Sequence, residues 1–331
     1  MIKVDLSHEP RLEPSPTGRP MVSIGLPVYN GEAYLRQVLD SVLAQTFSEF
    51  DLVISDNAST DGTEAICREY AAADPRIRYH RQVRNRGVTW NFRQAVLLSS
   101  GKYFLWTSHD DLLAPNYVER CVEVLESDPS VVLCYSNSIY MDEAGNRFEP
   151  KQQLEFDQLR PHQRFRRLIG LNHSCVALFG VIRLDVLKKT SIHGDFSDGD
   201  RCALVELGLH GNYHRIAEPL FFHREHAGRF THQHPSRQEQ TRLANPDRSI
   251  RFVYPHFRIL QEYALAVYRA PLSCGDRLRC YLHLLNWVRW NRRGLFGDIK
   301  FAFVDLTRSR SQLGKSKTLG PNTAGTDTVP R

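Results

Sequence analysis

The chain has 331 residues, of which 41% are hydrophobic, so it can bury the core of one large domain or of two ordinary ones. Lysine and arginine exceed aspartate and glutamate by 43 to 37, and this net charge of +6 suits phosphates, acidic small molecules or an anionic membrane surface but is too mild to indicate a nucleic-acid partner. The seven cysteines contain no CxxC pair, which favours a reducing, cytoplasmic setting over a disulfide framework or a zinc site.

The chain begins with a segment rich in proline and acids. Pro10, Pro14, Pro16 and Pro20 stand where a signal peptide would need an apolar core. We therefore expect residues 1–20 to form a flexible arm. No run of about 18 apolar residues follows, so we expect a soluble protein or one that is peripheral to a membrane.

In the first half of the chain, short apolar segments with the pattern of β-strands alternate with segments of helical spacing. The predicted elements are strand 22–28, helix 35–44, strand 50–54, a helix ending near 73, strand 77–80, a helix through 91–98, a strand at the start of 103–115, helix 115–127, strand 131–135 and a hairpin over 139–148. Asn30 is expected to cap the first helix. This alternation predicts an α/β fold with a doubly wound, mostly parallel, Rossmann-like sheet whose carboxyl edge binds ligands.

The second half is less regularly patterned and becomes helical. The expected elements are a polar loop and short helix over 151–170, a strand over 175–184, a flexible acidic loop over 193–200, a helix over 201–209, a strand over 220–222, helices over 250–268, 277–290 and 296–306, and a disordered tail over 309–331. We accordingly divide the chain into an arm (1–20), an α/β domain (21–235, with halves 21–148 and 149–235), a C-terminal helical extension (236–308) and the tail (309–331).

An apolar run that starts at Tyr103 leads into the adjacent acids Asp110 and Asp111. A buried strand that ends in carboxylates delivers them to the carboxyl edge of its sheet. Adjacent carboxylates repel each other there unless a divalent cation such as Mg²⁺ or Mn²⁺, carrying phosphate oxygens, offsets their charge. The alternative is a solvated helix start before Pro115, because Asp is favoured in the first turn of a helix.

Two other polar segments, 27–30 and 56–62, also follow strands of the predicted sheet. Asp56 and Asp61 in the second segment can accept hydrogen bonds from the base or ribose of a nucleotide. The alternative is that these acids only cap a helix and form turns, a role that their polar neighbours could also fill. The agreement of three strand ends is stronger evidence for a site than any one of them.

Four segments stand in an order and spacing that is specific as a set. They are Val22-Ser23-Ile24-Gly25-Leu26-Pro27-Val28-Tyr29-Asn30, Ile54-Ser55-Asp56-Asn57-Ala58-Ser59-Thr60-Asp61-Gly62-Thr63, Asn85-Arg86-Gly87 with Asn91, and Asp110-Asp111 with Pro115. Together they resemble family 2 of the inverting glycosyltransferases, whose nucleotide-sugar-binding fold is called GT-A. The resemblance covers about residues 21 to 230.

This resemblance implies a nucleotide-sugar donor and a divalent cation, Mg²⁺ or Mn²⁺. The residues implied for donor binding are Pro27, Tyr29, Asn30, Asp56, Asp61, Asn85, Arg86, Gly87, Asp110 and Arg224. Those implied for the metal are Asp111, Asp110 and His226. Family members often carry a further Asp two residues before the acid pair, whereas this chain has Ser108, so metal binding rests on fewer carboxylates.

Inversion at the sugar requires a carboxylate that deprotonates the acceptor hydroxyl on the face opposite the leaving nucleotide. Asp200 resembles the acid that serves as this base in the family. Another acid usually precedes it directly, but here Gly199 does and Asp198 lies one residue further back, so we favour Asp200 over Asp198. The alternative for both carboxylates is capping of the helix that follows.

The segment 222–226 resembles the closing segment of the family, in which an Arg and a His lie near the diphosphate. Arg224 would then neutralise charge, and His226 would bind the metal or a phosphate, although a lone His is more often structural. The wider histidine run over 223–234 matches no zinc motif, so we interpret it as a mobile loop near the site.

The predicted C-terminal helices combine basic and apolar residues. These are Arg277, Arg279, Arg289, Arg292 and Arg293 beside Leu282, Leu284, Leu285, Trp287, Trp290 and Phe296. Such a helix can lie on an anionic membrane, which would suit a lipid-linked acceptor. The alternative is an amphipathic helix packed on the α/β domain with its arginines outside.

The resulting hypothesis is a metal-dependent inverting glycosyltransferase of polysaccharide or glycolipid biosynthesis, cytoplasmic or peripheral at the inner face of the membrane. It would move a sugar from a nucleotide diphosphate sugar, expected to be a UDP-sugar, to a hydroxyl of a glycan or lipid-linked acceptor. One alternative is a nucleotidyltransferase, but the loop after the first strand lacks that class's glycine-rich basic sequence. The other is a non-catalytic module that binds a nucleotide sugar or glycan, an alternative that Ser108 and Gly199 keep open.

Overall fold

A computed structural model of the chain describes residues 19–149, 160–170, 175–192, 194, 196–244 and 254–300. The predicted tail, and the predicted arm apart from residues 19 and 20, lie outside the described residues. The strands are β1 (Val22–Val28), β2 (Phe50–Asp56), β3 (Ile77–Arg81), β4 (Tyr103–Trp106), β5 (Leu112–Leu113), β6 (Val131–Met141), β7 (Arg147–Phe148), β8 (Val181–Arg183) and β9 (Asn212–Arg224).

The helices are α1 (Leu35–Leu43), α2 (Thr63–Ala73), α3 (Val88–Leu97), α4 (Tyr117–Ser127), α5 (Pro161–Gly170), α6 (Leu184–Leu187), α7 (Gly199–His210), α8 (Phe230–Gln233), α9 (Arg237–Ala244), α10 (Pro255–Arg269) and α11 (Cys274–Trp290). A 3₁₀ helix spans Cys175–Phe179, and residues 292–300 are again helical. Among the described helices, none combines the length and the hydropathy needed to cross a bilayer.

The described strands form one sheet in the order β3-β2-β1-β4-β8-β6-β9-β5, with β7 paired to β6. β1 pairs in parallel with both β2 and β4, and β2 pairs in parallel with β3. β6 and β9 are also parallel, whereas β8, β5 and β7 pair antiparallel. The predicted α/β class is therefore confirmed. Because the order reverses between β1 and β4, the sheet has a topological switch point there, where open α/β sheets bind ligands.

Alternating side chains of the central strands feed two hydrophobic cores on opposite faces of the sheet. In β4, Tyr103 and Leu105 pack with α1, α2 and α4, whereas Phe104 and Trp106 pack with α3, α5, α7, α10 and α11. This is the period of two that a strand buried on both faces must have. The C-terminal helices α10 and α11 thus share a core with the α/β domain.

Two predictions about local structure are wrong. Asn30 does not cap α1, because its Oδ1 accepts the backbone N–H of Thr60 at 2.8 Å and α1 begins only at Leu35. The predicted strand over 175–184 is instead the 3₁₀ helix, β8 and the start of α6. An apolar run of that length does not by itself distinguish a strand from a buried helical turn.

Candidate active site

The loops after β1 and β2 are joined into one wall by hydrogen bonds at the carboxyl edge of the sheet. Asn30 has a left-handed φ of 51°, and its N–H donates to Ser59 Oγ at 3.0 Å. Next to it, the N–H of Gly31 donates to Thr63 Oγ1 at 2.9 Å. Pro27 is buried in β1, whereas Tyr29 is exposed beside this wall. Residues of the first two predicted donor segments are therefore neighbours.

Asp56 is fully buried at the end of β2. Its Oδ1 accepts the N–H and the hydroxyl of Ser59 at 2.8 and 2.6 Å, and its Oδ2 accepts the hydroxyl of Tyr79 at 2.6 Å. Arg81 Nε lies 3.5 Å from the same Oδ2. Burial, together with this neighbouring carboxylate, raises the pKa of Tyr79. The turn-forming role considered for Asp56 is thus present, and a nucleotide that contacts this carboxylate would compete with protein donors.

Asp61 also bonds to the backbone of both loops. Its Oδ1 accepts the N–H of Thr63 at 3.0 Å, and its Oδ2 accepts the N–H of Glu32 at 3.1 Å. Burial alone would raise the pKa of Asp61, but the hydrogen bonds from Thr63 and Glu32 lower it. Asp61 therefore fixes the relative position of the two loops.

Asn57 connects this wall to the predicted donor segment Asn85-Arg86-Gly87. Its Nδ2 donates to Asn85 Oδ1 at 2.9 Å and to the carbonyl of Gly87 at 3.1 Å, and its Oδ1 accepts the N–H of Arg86 at 2.9 Å. Gly87 has a φ of 91°, a conformation that favours glycine. The Arg86 guanidinium lies 4.4 Å from the centre of the Trp90 ring. From the sequence, Asn57 is one of the polar neighbours that could form the turn after β2, and its place directly after Asp56 is the available signal for a further role.

Asp111 is buried in the turn between β4 and β5, and protein groups engage both of its oxygens. Oδ2 accepts the hydroxyl of Ser108 at 2.7 Å, and Oδ1 accepts the N–H of Arg224 at 2.8 Å. His223 Nδ1 lies 3.0 Å from the same Oδ1. The turn that carries the acid pair is thus fastened to the end of β9, a segment more than a hundred residues later in the chain.

Asp110 pairs with His226 at a distance of 2.9 Å between Oδ2 and Nε2. Burial alone would raise the pKa of Asp110, but the hydrogen bond with His226 and the nearby His109 lower it. The His226 and Tyr34 rings meet edge to face, with ring centres 5.1 Å apart. Two of the three residues proposed from the sequence as metal ligands, Asp110 and His226, are therefore in direct contact.

Arg224 faces into the protein. It is 3% exposed, its Nε donates to the carbonyl of Asp110 at 2.9 Å, and its Nη2 donates to Gln37 Oε1 at 2.9 Å. Its guanidinium also lies 4.5 Å from the centre of the Tyr34 ring. Contact between Arg224 and a donor diphosphate would therefore require these bonds to break.

The donor atoms at the acid pair can be compared with the needs of a divalent cation. Within the described ranges, no three His, Cys, Asp or Glu side chains are grouped so that they could hold a metal ion. Asp110 and His226 nevertheless present one oxygen and one nitrogen side by side, and Mn²⁺ accepts both kinds of ligand. A cation bound to these two atoms would replace the hydrogen bond between them, with its other ligands coming from a bound diphosphate. Asp111 would likewise have to release a protein donor.

The two candidate bases lie at the start of α7 in different surroundings. Asp198 has a left-handed φ of 62° and pairs with Arg237 at 2.9 Å between Oδ2 and Nε. Arg201 Nε lies 3.6 Å from the other oxygen of Asp198. Asp200 Oδ1 accepts the N–H of Arg201 at 2.7 Å. The alternative of helix capping does not hold for Asp198, whose side chain makes no capping hydrogen bond in the part of the chain described.

A cavity of about 630 Å³ lies beside these two acids. Asp198 and Asp200 line it, as does His223, the residue 3.0 Å from Asp111. Val88, which directly follows the Asn85-Arg86-Gly87 segment, lines it from α3. The cavity therefore extends from the candidate bases to Val88 and His223, which adjoin the Asn85–Gly87 segment and Asp111 respectively.

Glu225 also lines this cavity, and sequence reasoning gave it no role. Its Oε1 accepts a hydrogen bond from Arg229 Nη1 at 2.5 Å and lies 3.7 Å from His223 Nε2. Its position between Arg224 and His226 in the sequence was the available signal. A third carboxylate thus lines the cavity, from the β9 side.

Sequence comparisons relate the chain to known glycosyltransferases. The family model described as glycosyl transferase family 2 matches residues 23–190. An uncharacterised glycosyltransferase of Rickettsia typhi is 32% identical over 172 residues, which cover 49% of this chain and 51% of that protein. The chondroitin synthase of Escherichia coli is 35% identical over 127 residues, which cover 38% of this chain and 18% of that protein. The chain therefore spans about half or less of the length of these relatives.

Solved structures show the same fold at low sequence identity. Staphylococcus aureus TarS 1-349 in complex with UDP-GlcNAc superposes with a TM-score of 0.62 at 15% identity, covering 86% of this chain and 81% of that one. The mannosyltransferase PcManGT of Pyrobaculum calidifontis, in complex with GDP-Man and Mn²⁺, gives a TM-score of 0.53 at 18% identity, covering 92% of this chain and 79% of that one. At these identities the likeness establishes the architecture only.

Proposed function

Because the chain belongs to glycosyl transferase family 2, we propose that it transfers a sugar from a nucleotide diphosphate sugar to a hydroxyl of a glycan or lipid-linked acceptor, with inversion at the sugar. One observation carries this proposal: a single cavity extends from Asp198 and Asp200 to His223, which contacts the acid pair of β4. An inverting transfer needs a base on one side of the sugar and a held leaving group on the other.

The donor would bind across the loops after β1, β2, β3 and β4. Their hydrogen-bonded wall provides the exposed Tyr29, the backbone of Asn30 and the Asn85–Gly87 segment, with Asp56 and Asp61 holding the loops in place. We propose a UDP-sugar, since TarS, which shares the fold, was solved with UDP-GlcNAc. The mannosyltransferase was solved with GDP-Man, so a comparison of UDP with GDP is needed to identify the nucleobase of the donor.

Asp200 would deprotonate the acceptor hydroxyl, because Arg237 already engages both oxygens of Asp198. Asp110 and His226 would hold a divalent cation, Mg²⁺ or Mn²⁺, which supplies positive charge to the departing diphosphate. Arg224 would act indirectly by fixing the turn that carries Asp110 and Asp111. No covalent enzyme intermediate is required.

The acceptor side is proposed to face a membrane through the outer surface of α11 and the helical residues 292–300. The apolar side chains on this surface are each more than half exposed: Leu278, Leu282, Leu285, Trp290 and Phe296. Five arginines flank them, and the sole acid between Arg277 and Lys300 is Asp298, which is buried. Basic and apolar residues on one helix face suit an anionic lipid surface. The inner face of α11, with Leu284 and Trp287, packs on the core. Packing on the α/β domain and contact with a membrane are therefore compatible roles for this helix.

We accordingly propose a cytoplasmic enzyme of polysaccharide or glycolipid biosynthesis that is peripheral at the inner face of the membrane. Vesicles of phosphatidylglycerol should sediment the chain, and vesicles of phosphatidylcholine should not. Replacing Leu282 and Leu285 together by Ser should abolish sedimentation, whereas Val83→Ser, at an exposed valine far from α11 in sequence, should not. If the double leucine variant sediments as well as the Val83→Ser variant does, the membrane contact is contradicted.

The proposed function is tested by a thermal-shift screen of UDP, GDP, UDP-glucose, UDP-N-acetylglucosamine and GDP-mannose, each with Mn²⁺ or with chelator. A nucleotide at about 100 times its Kd stabilises the folded state by about 2.7 kcal/mol. Transfer or donor hydrolysis should then release the nucleoside diphosphate and invert the anomeric centre. Release of pyrophosphate would indicate a nucleotidyltransferase instead, and tight UDP binding without turnover would indicate a non-catalytic module.

A further inference from the structure

A buried carboxylate of the C-terminal helices holds the start of α10. Asp298 is 1% exposed, and its Oδ2 accepts the backbone N–H groups of His256 and Phe257 at 2.8 and 3.2 Å. Its Oδ1 lies 3.1 Å from His256 Nδ1. Because a carboxylate accepts hydrogen bonds, this contact places the proton of the imidazole on Nδ1.

The other nitrogen of His256 contacts Arg237 at the start of α9. The distance between His256 Nε2 and Arg237 Nη1 is 3.2 Å, and since a guanidinium can only donate, Nε2 must accept. Both contacts thus require the same neutral tautomer. Arg237 in turn donates to both oxygens of Asp198, from Nε at 2.9 Å and from Nη2 at 3.2 Å. A bidentate pair of this kind fixes orientation as well as charge.

Asp198 lies in the turn that leads into α7. Its carbonyl accepts the N–H of Cys202 at 3.0 Å, and the N–H of the preceding Ser197 donates to Thr241 Oγ1 at 3.1 Å. Thr241 belongs to α9, the helix that also carries Arg237. The direction of Asp200, two residues beyond Asp198, therefore depends on how α9 is held.

Gly294 leaves the space that the His256 ring occupies. A Cβ at Gly294 would stand 2.3 Å from His256 Nε2 and 2.4 Å from its Cδ2, so any side chain there must displace the ring. A Cβ at Gly297, in the same helical stretch, would meet no atom within 4 Å. The two glycines offer matched substitutions, one that disturbs the ring and one that does not.

We propose that His256, oriented by Asp298, is a positioning residue for the acceptor side of the cavity. It orients Arg237, Arg237 holds the Asp198 turn, and the turn aims Asp200 at the acceptor hydroxyl. The kinetic part of this inference rests on the proposed function. The contact chain from Asp298 to Asp198 does not, and it can be measured without any substrate.

The test uses the full chain with Gly294→Ala and His256→Ala, and with Gly297→Ala as the matched control. Hydrogen exchange of the backbone amides at 196–202 should become faster in the first two variants and stay at the wild-type rate in the control. The kcat for the nucleotide sugar turned over by the wild type should fall about tenfold in the first two, as expected for a small misplacement of a catalytic group. The Kd for UDP should stay within about twofold. His256→Gln, which keeps an acceptor for Arg237, should recover part of kcat.

Each other outcome has a distinct meaning. Equal exchange rates in Gly294→Ala and Gly297→Ala would overturn the contact chain. Faster exchange with unchanged kcat, or a loss of UDP affinity in parallel with kcat, would overturn the positioning role. A wild-type chain that turns over none of the nucleotide sugars would overturn the proposed function, and the exchange rates would still support or overturn the contact chain.

Discussion

Ser108 donates its hydroxyl to Asp111 Oδ2 over 2.7 Å. The serine thus occupies a place where family members often carry a third carboxylate, and it satisfies one oxygen of the acid pair by a neutral hydrogen bond. The other oxygen of Asp111 accepts the N–H of Arg224. Protein donors therefore hold Asp111, and His226 pairs with Asp110. The cation is expected to bind at Asp110 and His226.

The variant Ser108→Asp should make the protein more dependent on a divalent cation. A third carboxylate beside Asp110 and Asp111 repels both, so the Tm without metal should fall, and Mn²⁺ should restore it because hard cations bind carboxylate oxygens. We expect the Kd for Mn²⁺, measured by thermal shift, to tighten about tenfold, the equivalent of about 1.4 kcal/mol.

Ser108→Ala is the matched control, since it removes the hydroxyl without adding charge. It should lower the free energy of unfolding by about 1 kcal/mol and leave the response to Mn²⁺ unchanged. A Ser108→Asp protein that is as stable without metal as the wild type, and that responds to Mn²⁺ no more strongly, would contradict a cation at this pair.

The sequence was informative where a residue's role follows from its neighbours along the chain. The apolar runs of β1, β2 and β4 predicted a sheet buried on both faces, and the acids that follow β2 and β4 do lie at its carboxyl edge. The hairpin of β6 and β7 was also predictable, because Gly145 supplies the positive φ that its turn requires. Local pattern and tertiary structure agree in these places.

The roles of other residues depend on partners that are distant in sequence. Nothing beside Arg224 indicates that its guanidinium turns inward onto Gln37, which lies 187 residues earlier. Asp298 and His256 are separated by 42 residues, and neither belongs to a recognisable motif. The roles of Asn57 and Asp56 as links between loops depend on tertiary contacts too, since a polar strand end could equally have faced a ligand directly.

Asp200→Asn should reduce transfer by about 10²- to 10⁴-fold, which is the usual contribution of a general base. The Kd for UDP should stay nearly unchanged, because Asp200 lies on the side of the cavity formed by α7. Initial rates of sugar transfer and isothermal titration with UDP measure the two effects. If Asp198→Asn causes the larger loss and Asp200→Asn remains active, the base has been assigned to the wrong carboxylate.

Stability should fall at mildly acidic pH because of two stacked histidines between α5 and α11. His162 Nδ1 lies 3.3 Å from His283 Nε2, and the ring planes are 16° from parallel. Burial lowers the pKa of both rings, helped at His162 by Arg279 and at His283 by the neighbouring His162.

The direction of this pH dependence follows from proton binding. The unfolded chain takes up protons at the ordinary His pKa of about 6.5, whereas the folded chain resists them until a lower pH. The stability contributed by the neutral pair is therefore complete above about pH 6.5 and decreases as the pH falls below it. We expect Tm to drop by a few degrees between pH 7.5 and 5.5.

Replacing both His162 and His283 by Gln should flatten this pH dependence. His80 and His210 should account for part of the slope that remains, because burial lowers their pKa values as well. Chemical unfolding at a series of pH values gives the comparison. A double variant whose stability falls with pH as steeply as that of the wild type would show that the pair does not titrate in this range.

Arg224→Ala should act mainly on stability. The substitution leaves the carbonyl of Asp110 and the side chain of Gln37 without their buried donor, and it removes the cation stacked on Tyr34. We expect the free energy of unfolding to fall by roughly 2–4 kcal/mol. Arg224→Lys should recover little of this, because a lysine lacks the planar fork that reaches separate acceptors.

Arg147→Ala is the control, since Arg147 is exposed and its guanidinium stacks on Phe222 at 4.7 Å. That change should cost no more than about 1 kcal/mol. Urea unfolding of the three variants, together with their Kd for UDP, separates the two possible roles of Arg224. A large loss of UDP affinity with unchanged unfolding would mean that the guanidinium leaves Gln37 and reaches the diphosphate when the donor binds. The inward geometry would then hold only before the donor binds.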